Sequence, residues 1–479
     1  MNRYYVTTSI PYVNGDPHIG FAMELVIADV LARQAKKQGY EVIFSTGTDE
    51  HGGKIEEKAK ELNVSPKEFA DTVSTRFREL SELLNISNNR FIRTTDKGHE
   101  QRVKLIWQKL KKDIYKSSYI GWYCTGDEAF FTETEVKNLG GVCPNHNKAF
   151  EKIEEENYFF KLSAYEDQIK QAILSDKFTI VPESKKHEIL NVINEGLEDL
   201  SISRPKTKIS WGIPVPGDST QVMYVWFDAL LNYITVLGYP ENDDFKNFWP
   251  ANVQVIGKDI LRFHAAIWPA ILMSLNEPLP NKLYVHGFIT IDEQKISKSI
   301  GNVIHPKDIV DRFGVDGFRY YFLKYIPSYD DGDFSWQRIA DAYNNELANE
   351  LGNALQRTLT MVEKYADGKL VVKNKADHDI TRYLEALDNC RFDRALDEVW
   401  SHVRGLNQFI DEEKPWSLTN PEEQEHLKDV LSHMVGTLFL IADLLEPFLP
   451  DTCQTMNDLL SQPKLVPPKT TLFPKRAIN

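Results

Sequence analysis

A histidine and a glycine near the start of the chain, His18 and Gly20, have the types and spacing of a phosphate-binding turn. Residues 4–10 are rich in β-branched and aromatic side chains, which is typical of a buried strand. After a turn, Pro17 is predicted to open a helix, with Asp16 as its N-cap. Backbone N–H groups and the positive end of the helix dipole gather at such a start, and glycine lets a flat ligand approach closely. The pattern therefore predicts a site for a phosphate group.

A second candidate is the carboxylate of Asp49, which follows the next predicted strand, residues 41–46. The strand–helix–strand order makes the two strands parallel neighbours. Ligands of an open parallel sheet lie beyond the carboxyl ends of its strands, so Asp49 would meet the same ligand and bind an ammonium group. The alternative is that Asp49 only caps the helix predicted at residues 54–62.

Two lysines, Lys295 and Lys298, lie three residues apart in a loop with Ser and Gly that follows the strand predicted at residues 283–291. Lysine binds phosphate as a flexible point charge, so the pair would form a mobile clamp for a polyphosphate. Lysines are also common in exposed loops, and the pattern alone does not separate the two interpretations.

Two short pairs, Cys124 with Asp127 and Cys143 with His146, have the layout of a structural zinc knuckle. Structural zinc sites prefer sulfur and imidazole ligands, so an Asp in the set is unusual. The alternative is a knuckle without metal, in which Asp127 is a turn residue. The four cysteines of the chain are too few and too scattered for a disulfide framework.

The rest of the chain predicts the elements that position these residues. Helices at residues 66–84 and 97–113 complete the first half of an α/β sheet, and a Gly-rich segment of strands and turns near residue 121 has the character of an insertion. A second β–α–β half follows, with strands at residues 221–229 and 252–257. From Trp336 onward the pattern is almost wholly helical. The expected fold is α/β, a Rossmann-like parallel sheet split by a connective insertion and followed by a C-terminal α-helical bundle domain.

Composition describes an ordinary soluble protein, with 42% hydrophobic and 26% charged residues among 479. No run of about 18 apolar residues predicts a membrane span. The start of the chain has no apolar signal segment, so a cytoplasmic location is expected. A net charge of -14 argues against indiscriminate coating of nucleic acid, although a local basic face remains compatible with a nucleic-acid ligand.

The chain resembles the class I aminoacyl-tRNA synthetases, because HIGF at residues 18–21 is similar to their HIGH motif and KISKS at residues 295–299 to their KMSKS loop. The order and structural context of the two motifs add to the resemblance. Within the class, the chain is similar to the methionyl-tRNA synthetase family over nearly its whole length. The further matching stretches are IPYVNG at 10–15, TDEHG at 48–52, YVWFDAL at 224–230, GKDI at 257–260, NALQR at 353–357 and KPW at 414–416.

The resemblance implies a methionine–tRNA ligase that forms methionyl-adenylate from ATP and methionine and then charges tRNA(Met) for translation initiation and elongation. It implies ATP-binding residues Asn14, His18, Gly20, Lys295, Ser297 and Lys298, with Mg²⁺ bridging the phosphates. It implies methionine-binding residues Ile10, Tyr12, Asp49, Trp226, Ala229, Leu230, Tyr233, Ile260 and His264. It implies catalytic residues His18, Lys295, Lys298, Asp259 and Arg204. Zn²⁺ at Cys124, Asp127, Cys143 and His146 stays open.

The resemblance also divides the chain and assigns its tail. The implied boundaries are 1–113 for the first half of the catalytic domain, 114–222 for the connective insertion with the knuckle, 223–292 for the second half, 293–340 for a stem-contact region with the KISKS loop, and 341–479 for the helical anticodon-binding domain. The implied anticodon-binding residues are Asn353, Arg357, Pro415 and Trp416. Without the resemblance, Trp416 would be interpreted as a core aromatic.

Three residues depart from the family pattern. Phe21 replaces the second histidine of the HIGH motif, Ile296 replaces the methionine of KMSKS, and Asp127 stands where zinc-binding members carry a cysteine. No editing insertion or oligonucleotide-binding extension is visible, so a monomer is expected. Two alternatives remain: a class I synthetase for another apolar amino acid, and an inactive tRNA-binding paralogue, which the Phe21 departure keeps open.

Overall fold

The computed structural model describes residues 2–124, 129–131, 133–144, 147–295, 303–370, 379–418 and 420–477, without the side chains of 119, 120, 129, 130, 134 and 295. Within these ranges, no helix combines the length and the apolar character needed to cross a membrane. The strands are β1 (Arg3–Thr7), β2 (Glu41–Thr48), β3 (Arg90–Arg93), β4 (Ile114–Cys124), β5 (Ala129–Phe131), β6 (Glu151–Phe160), β7 (Thr179–Val181), β8 (Leu200–Ser201), β9 (Ser203–Pro205), β10 (Pro214–Val215), β11 (Asp218–Met223), β12 (Val253–Gly257), β13 (Lys282–His286), β14 (Ile289–Ile291), β15 (Gln294–Lys295) and β16 (Gly332–Phe334).

The α-helices surround the central sheet and then form the C-terminal region. They are α1 (Ile19–Lys37), α2 (Gly53–Glu61), α3 (Pro66–Leu83), α4 (Lys97–Lys109), α5 (Glu133–Asn138), α6 (Glu166–Leu174), α7 (Glu183–Asn194), α8 (Val225–Leu230), α9 (Asn232–Thr235), α10 (Asp243–Phe248), α11 (Trp268–Leu275), α12 (Pro306–Lys324), α13 (Trp336–Ala342), α14 (Asn353–Ala366), α15 (Thr381–Asp388), α16 (Phe392–Glu413), α17 (Gln424–Leu445) and α18 (Pro450–Leu460).

The central sheet has six parallel strands in the order β3-β2-β1-β12-β13-β7. The predicted parallel pairing of the first two strands is confirmed, with Tyr5 opposite Ile43. The chain moves outward from β1 through β2 to β3 and returns on the other side of β1 as β12. The strand order therefore reverses between β1 and β12, and a crevice opens there at the carboxyl ends of the strands.

The first helix starts later than predicted. Helix α1 begins at Ile19, and His18 is its N-cap, because Nδ1 of His18 accepts the N–H of Gly20 at 3.1 Å. The prediction that Pro17 opens the helix and Asp16 caps it is therefore wrong. Asp16 instead pairs with Arg76 on α3. An imidazole nitrogen caps a helix in the same way as a hydroxyl or carboxylate oxygen, by accepting a free N–H of the first turn.

The segment between the two halves of the sheet is mostly antiparallel, but it also contributes to the central sheet. Strands β5-β4-β6-β8 and β10-β11-β9 form two antiparallel sheets, whereas β7 pairs parallel to β13 at the edge of the central sheet. One strand of the predicted insertion at 114–222, β7, therefore belongs to the central sheet.

The strand predicted at residues 221–229 is wrong beyond Met223. Strand β11 ends there, in an antiparallel sheet, and α8 begins at Val225. The N–H of Tyr224 still bonds to the carbonyl of Ile202, and the carbonyl of Tyr224 accepts the N–H of Asp228. Tyr224 therefore ends the ladder and starts the helix. The apolar run that follows is buried in a helix, and periodicity alone does not distinguish this from a buried strand.

The strand predicted at residues 283–291 is two strands, β13 and β14, which belong to different sheets. The chain breaks at Gly287, where a Cβ atom would lie 2.3 Å from the carbonyl oxygen of Asp330. Only glycine permits this close approach of two backbones. Strand β14 then pairs with β15 and β16, so the chain leaves the central sheet just before the KISKS loop.

The C-terminal region is helical from α13 onward, as predicted, and α12 packs it against the central sheet. Helix α12 contacts α1 and α3 on one side and α16 and α18 on the other. A fully buried guanidinium, Arg319 on α12, lies 2.7 Å from the buried carboxylate of Asp29 on α1. The same guanidinium donates to the carbonyls of Pro447 and Phe448, between α17 and α18.

Candidate active site

A cavity of about 700 Å³ lies at the carboxyl ends of the central strands, beside the β1–β12 crevice. Its walls come from the turn before α1, the turn after β2, helices α8 and α9, the turn after β12, and the segment between β13 and β14. The predicted site residues that line it are Ile10, Tyr12, Asn14, His18, Gly20, Asp49, Trp226, Ala229, Leu230, Tyr233, Asp259, Ile260 and His264. Residues distant in sequence thus meet in one cleft of ligand size.

The start of α1 forms the polar end of the cavity. Gly20 lies so close to His18 that a Cβ atom would be 2.9 Å from Cε1 of the imidazole. The capping histidine and the glycine are therefore one structural unit that leaves the first turn open to a ligand. Phe21 also lines the cavity, and its ring packs edge-on against Phe77 on α3 at 5.5 Å.

Backbone hydrogen bonds fix Asp49 beside the segment that follows β1. Its N–H donates to the carbonyl of Pro11 at 2.9 Å, and its carbonyl accepts the N–H of Val13 at 3.1 Å. The residue is buried and its side chain lines the cavity. Helix α2 has Gly52 as its N-cap, so the alternative that Asp49 caps this helix is excluded. A carboxylate held in a cavity wall is suited to a cationic group.

The opposite end of the cavity is aromatic. Trp226 stacks on Phe263 with ring centres 4.0 Å apart. Tyr233 and His264 form a hydrogen bond of 2.7 Å between the hydroxyl and Nε2, and Nδ1 of His264 lies 3.0 Å from the carbonyl of Ile260. Burial lowers the pKa of His264 to about 4. The imidazole is therefore neutral near pH 7, with Nδ1–H donating to Ile260 and Nε2 accepting from Tyr233.

A buried carboxylate that sequence reasoning missed, Glu24, joins three parts of the wall. It accepts the backbone N–H and the hydroxyl of Ser9 at 2.6 and 2.7 Å, and its other oxygen lies 2.9 Å from Nε2 of His286. Burial alone would lower the pKa of His286, but Glu24 and the carbonyl of Gly287 raise it above its usual value. The sequence signal for Glu24 was a glutamate within an otherwise apolar stretch of α1. A buried helix tolerates a carboxylate only when hydrogen-bond partners surround it.

Asp259 lies in the same wall, next to this group. Burial raises its pKa above the usual value, and the nearby charge of His286 opposes the rise. A Cβ atom at Gly257 would be 2.8 Å from a carboxylate oxygen of Asp259, so the glycine makes room for this side chain. The end of β12 therefore adds the carboxyl group of Asp259 to those of Asp49 and Glu24 in the cavity lining.

Arg204, which the resemblance implies to be catalytic, does not line the cavity. It lies on β9, opposite Val222 of β11, and is buried with its guanidinium 4.1 Å from the ring centre of Tyr224. It donates to the hydroxyl of Ser201 and the carbonyl of Ser203 at 3.0 and 2.7 Å. The antiparallel pairing of β9 with β11 directs the side chain of Arg204 toward Tyr224, where β11 ends and α8 begins.

Several predicted residues lie outside the described residues. Ser297 and Lys298 of the KISKS loop are among them, and Lys295, at the end of β15, is described only in its backbone, which pairs with Thr290. Asp127 and His146 of the knuckle also lie outside this part of the chain.

The two knuckle cysteines, Cys124 and Cys143, are both buried in one small cluster with Val136 and Phe150. In the described ranges, no group of three or more side chains suited to a metal ion is found. The structure thus places the two sulfur atoms of the predicted ligand set and does not test the other two ligands.

The predicted anticodon residues lie at the far end of the helical region. Trp416 is 46% exposed, which excludes the alternative that it is a core aromatic, whereas Pro415 before it is buried. Asn353 and Arg357 lie one turn apart on α14, and Arg357 pairs with Asp411 near the end of α16 at 2.6 Å. This ion pair joins α14 to the helix that leads into Trp416.

Comparisons with known proteins agree with the geometry. The family described as tRNA synthetases class I (M) matches residues 4–152 and 146–359. The chain is 44% identical to a methionine–tRNA ligase of Caldanaerobacter subterraneus subsp. tengcongensis, over 95% of this chain and 74% of that protein. It is 40% identical to the methionine–tRNA ligase of Brucella melitensis, over 96% and 92%. The fold matches the Mycobacterium tuberculosis methionyl-tRNA synthetase solved with methionyl-adenylate, with a TM-score of 0.92, 36% identity, and 99% and 100% of the two chains covered.

The low pKa of His264 predicts a pH effect on stability. A histidine in an unfolded chain has a pKa near 6.5, so the unfolded state binds this proton more readily than the folded state, whose pKa is about 4. The free energy of unfolding should therefore fall below pH 6.5, and this residue should account for a loss of about 2 kcal/mol between pH 7.5 and 5. Urea unfolding of the wild type and His264→Asn at both pH values measures it. Parallel losses in the two proteins would contradict the assignment.

Proposed function

The chain belongs to the methionyl-tRNA synthetase family of class I tRNA synthetases, and from this premise we propose which residues carry out its reaction. The reaction joins methionine to tRNA in two steps. The carboxylate of methionine attacks the α-phosphorus of ATP and releases pyrophosphate, and the 3′ end of tRNA then takes the methionyl group from the adenylate and releases AMP. The observation that carries the residue assignments is the cavity where the carboxylate of Asp49, the aromatic pocket and the open start of α1 meet.

Methionine is proposed to lie between Asp49 and the aromatic pocket. Asp49 binds the ammonium group, and the backbone of Ile10 lies on the same rim. The remaining wall holds the side chain and consists of Tyr12, Trp226, Ala229, Leu230, Tyr233, Ile260 and His264. A thioether is polarisable and contacts aromatic edges well, so the neutral Tyr233–His264 pair offers it a polar tip without a charge.

ATP is proposed to occupy the polar end, with Asn14 and Gly20 as the floor of the nucleotide site. His18 donates to the phosphates through Nε2, because its Nδ1 accepts the N–H of Gly20 at the cap of α1. Lys295, Ser297 and Lys298 close over the β- and γ-phosphates and neutralise the charge that develops on pyrophosphate. Mg²⁺ enters as part of the nucleotide substrate and supplies further neutralisation. Asp259 acts beside the reacting carboxylate. The catalytic role of Arg204 rests on the resemblance alone, since its side chain lies outside the cavity wall.

The helical domain is proposed to bind the anticodon of tRNA through Asn353, Arg357, Pro415 and Trp416. An exposed tryptophan after a rigid proline is a stacking platform for an unpaired base, and polar side chains beside it read base edges. A cytoplasmic location and a monomeric state remain predictions.

The knuckle is proposed to bind zinc through Cys124, Asp127, Cys143 and His146. Two thiols in one buried cluster fit the sulfur half of a tetrahedral site. When bound, zinc would cross-link the two turns of the knuckle. The site lies in the connective segment and takes no part in the chemical steps.

Exchange of pyrophosphate into ATP, measured with each amino acid separately in the presence of Mg²⁺, tests the activity. We expect exchange with methionine and at least about 100-fold less with leucine, isoleucine or valine, because the pocket is shaped for an unbranched thioether. Exchange with another amino acid would retain the fold and overturn the pocket assignment. Absence of all exchange with intact tRNA binding would favour the inactive paralogue, with Phe21 as the first residue to revert.

Lys298→Ala separates the phosphate clamp from amino-acid binding in the same assay. We expect a loss of at least about 100-fold in kcat with little change in the Michaelis constant for methionine, since the lysine acts as charge builds on the leaving group. Lys307→Ala, an exposed lysine on α12, is the matched control and should behave as wild type. An unchanged kcat in Lys298→Ala would remove the clamp from the mechanism.

Metal analysis of purified protein tests the knuckle. We expect about one equivalent of zinc per chain, lost in Cys143→Ser, because a structural site loses affinity when one thiolate is removed. Cys390→Ser, which changes a buried cysteine in another core cluster, is the control and should retain the metal. Wild-type protein without stoichiometric zinc would contradict the proposal.

Trp416→Ala tests the anticodon surface. We expect kcat/KM for charging of tRNA to fall about 10- to 100-fold, because one stacked base contributes roughly 1–3 kcal/mol. Pyrophosphate exchange, which needs no tRNA, should stay at the wild-type level. Trp416→Phe retains an aromatic face and should recover most of the charging. Equal charging by the alanine variant and the wild type would exclude Trp416 from the surface.

A further inference from the structure

A buried group of two imidazoles and one carboxylate lies behind the wall of the cavity. Nδ1 of His51 lies 2.6 Å from one oxygen of Asp228, and Nε2 of His99 lies 2.7 Å from the other. Nδ1 of His99 is 2.7 Å from the hydroxyl of Thr235. All four side chains are buried, and none of them lines the cavity. We call these residues the His51–Asp228–His99 bridge.

The bridge holds the wall segment at two places. Asp228 lies on α8 between the cavity-lining residues Trp226 and Ala229, and Thr235 lies two residues after Tyr233 on α9. His99, on α4, bonds to both Asp228 and Thr235. The imidazole of His99 therefore fixes the position of the segment that supplies Trp226, Ala229, Leu230 and Tyr233 to the cavity wall.

The other imidazole connects this segment to the turn after β2. His51 follows Asp49 by two residues, and the turn is held further by Trp211, whose indole N–H donates to the carbonyl of Glu50 at 2.6 Å. The N–H of Gly52 donates to the carbonyl of Trp211 at 2.9 Å. The carboxylate of Asp49 and the wall that carries Trp226 are thus joined behind the cavity through His51 and Asp228.

We propose that the His51–Asp228–His99 bridge is a positioning group that sets the distance between Asp49 and the wall of α8, and so the length of side chain that the site accepts. The proposal rests on the proposed function, in which Asp49 binds the ammonium group of the amino acid and α8 contacts the end of its side chain. Hydrogen bonds are directional and short, so they fix this distance more sharply than apolar packing does.

The electrostatics of the bridge are consistent with this role. Burial would raise the pKa of Asp228, but the two imidazoles together lower it, so Asp228 is a carboxylate that accepts from both. Glu100 is the remaining charged group near His51, at 4.0 Å from its Nε2. An amide at position 228 would accept from one imidazole and donate to the other, which must then present an unprotonated nitrogen, so the two charge-assisted bonds to the carboxylate are replaced by weaker neutral ones.

The test is pyrophosphate exchange by Asp228→Asn with methionine, ethionine, whose side chain is one methylene longer, and norvaline, whose side chain is one atom shorter. We expect the ratio of kcat/KM for methionine to that for ethionine to fall about tenfold, because a wall that moves back admits the extra methylene. The Michaelis constant for methionine should rise, and that for ATP should stay within about twofold. An unchanged methionine-to-ethionine ratio would overturn the proposal.

A matched control separates positioning from a loss of folding. Asp316→Asn changes another buried carboxylate, which accepts the N–H of Thr452 at 2.6 Å and is remote from the cavity. It should retain the wild-type ratio even where it lowers thermal stability. The same fall in ratio in both variants would assign the effect to general destabilisation and overturn the proposal.

A pair of changes at His51 tests the bridge without altering Asp228. The amide N–H₂ of an asparagine can donate from about the position of Nδ1, so His51→Asn should retain most of the selectivity, whereas His51→Leu should lose it. Equal selectivity in the two variants would overturn the proposal. Wild-type protein that shows no exchange with methionine would instead contradict the proposed function, since the bridge is tested only through ratios measured relative to the wild type.

Discussion

The buried ion pair of Asp29 and Arg319 is the constraint on which the arrangement of the molecule depends. The guanidinium of Arg319 is fully enclosed, and it donates to Phe448 at 2.6 Å, Pro447 at 3.0 Å and Leu84 at 3.3 Å besides its contact with Asp29. A buried charge is tolerated only when its donors are paired, and removal of one partner leaves a large desolvation penalty. The helix that begins at the phosphate turn, the helix that follows the KISKS loop and the last helices of the chain therefore meet at one set of hydrogen bonds with little freedom to shift separately.

The cavity combines charged and neutral groups in a fixed order along its length. The carboxylate of Asp49 lies at one rim, the capping imidazole of His18 lies at the start of α1, and the neutral imidazole of His264 lies in the aromatic pocket. Burial lowers the pKa of His264, whereas His18 is exposed at the start of α1. Under the proposed assignments, local environment as well as residue type separates the places for an ammonium group, a thioether and a polyphosphate.

Features with a local physical signal could be predicted from the sequence. The helix predicted at residues 66–84 and the strand–helix–strand order of the first unit are examples, and His18, Gly20 and Asp49 line the cavity because they follow the ends of parallel strands. Features that depend on tertiary neighbours could not. The break at Gly287 arises from the close backbone of Asp330, in a distant part of the chain, and Glu24 meets His286 only in the folded chain. The cap at His18 is local, since its partner Gly20 is two residues away, but histidine is not among the preferred capping residues. Arg204 was assigned by resemblance, and strand pairing directed it elsewhere.

The order of strands in the central sheet also has a consequence for synthesis of the chain. Strand β1 acquires β2 early, but its other neighbour, β12, is reached only after the insertion, and the side chain of Asn252 accepts the N–H of Tyr5 across 247 residues. Translation at roughly 5–20 residues per second separates the two by on the order of 10 to 50 seconds. During that interval one edge of β1 has no partner, and an unpaired strand edge is a template for association with other chains. A nascent chain of this fold therefore carries an incomplete central sheet until β12 emerges.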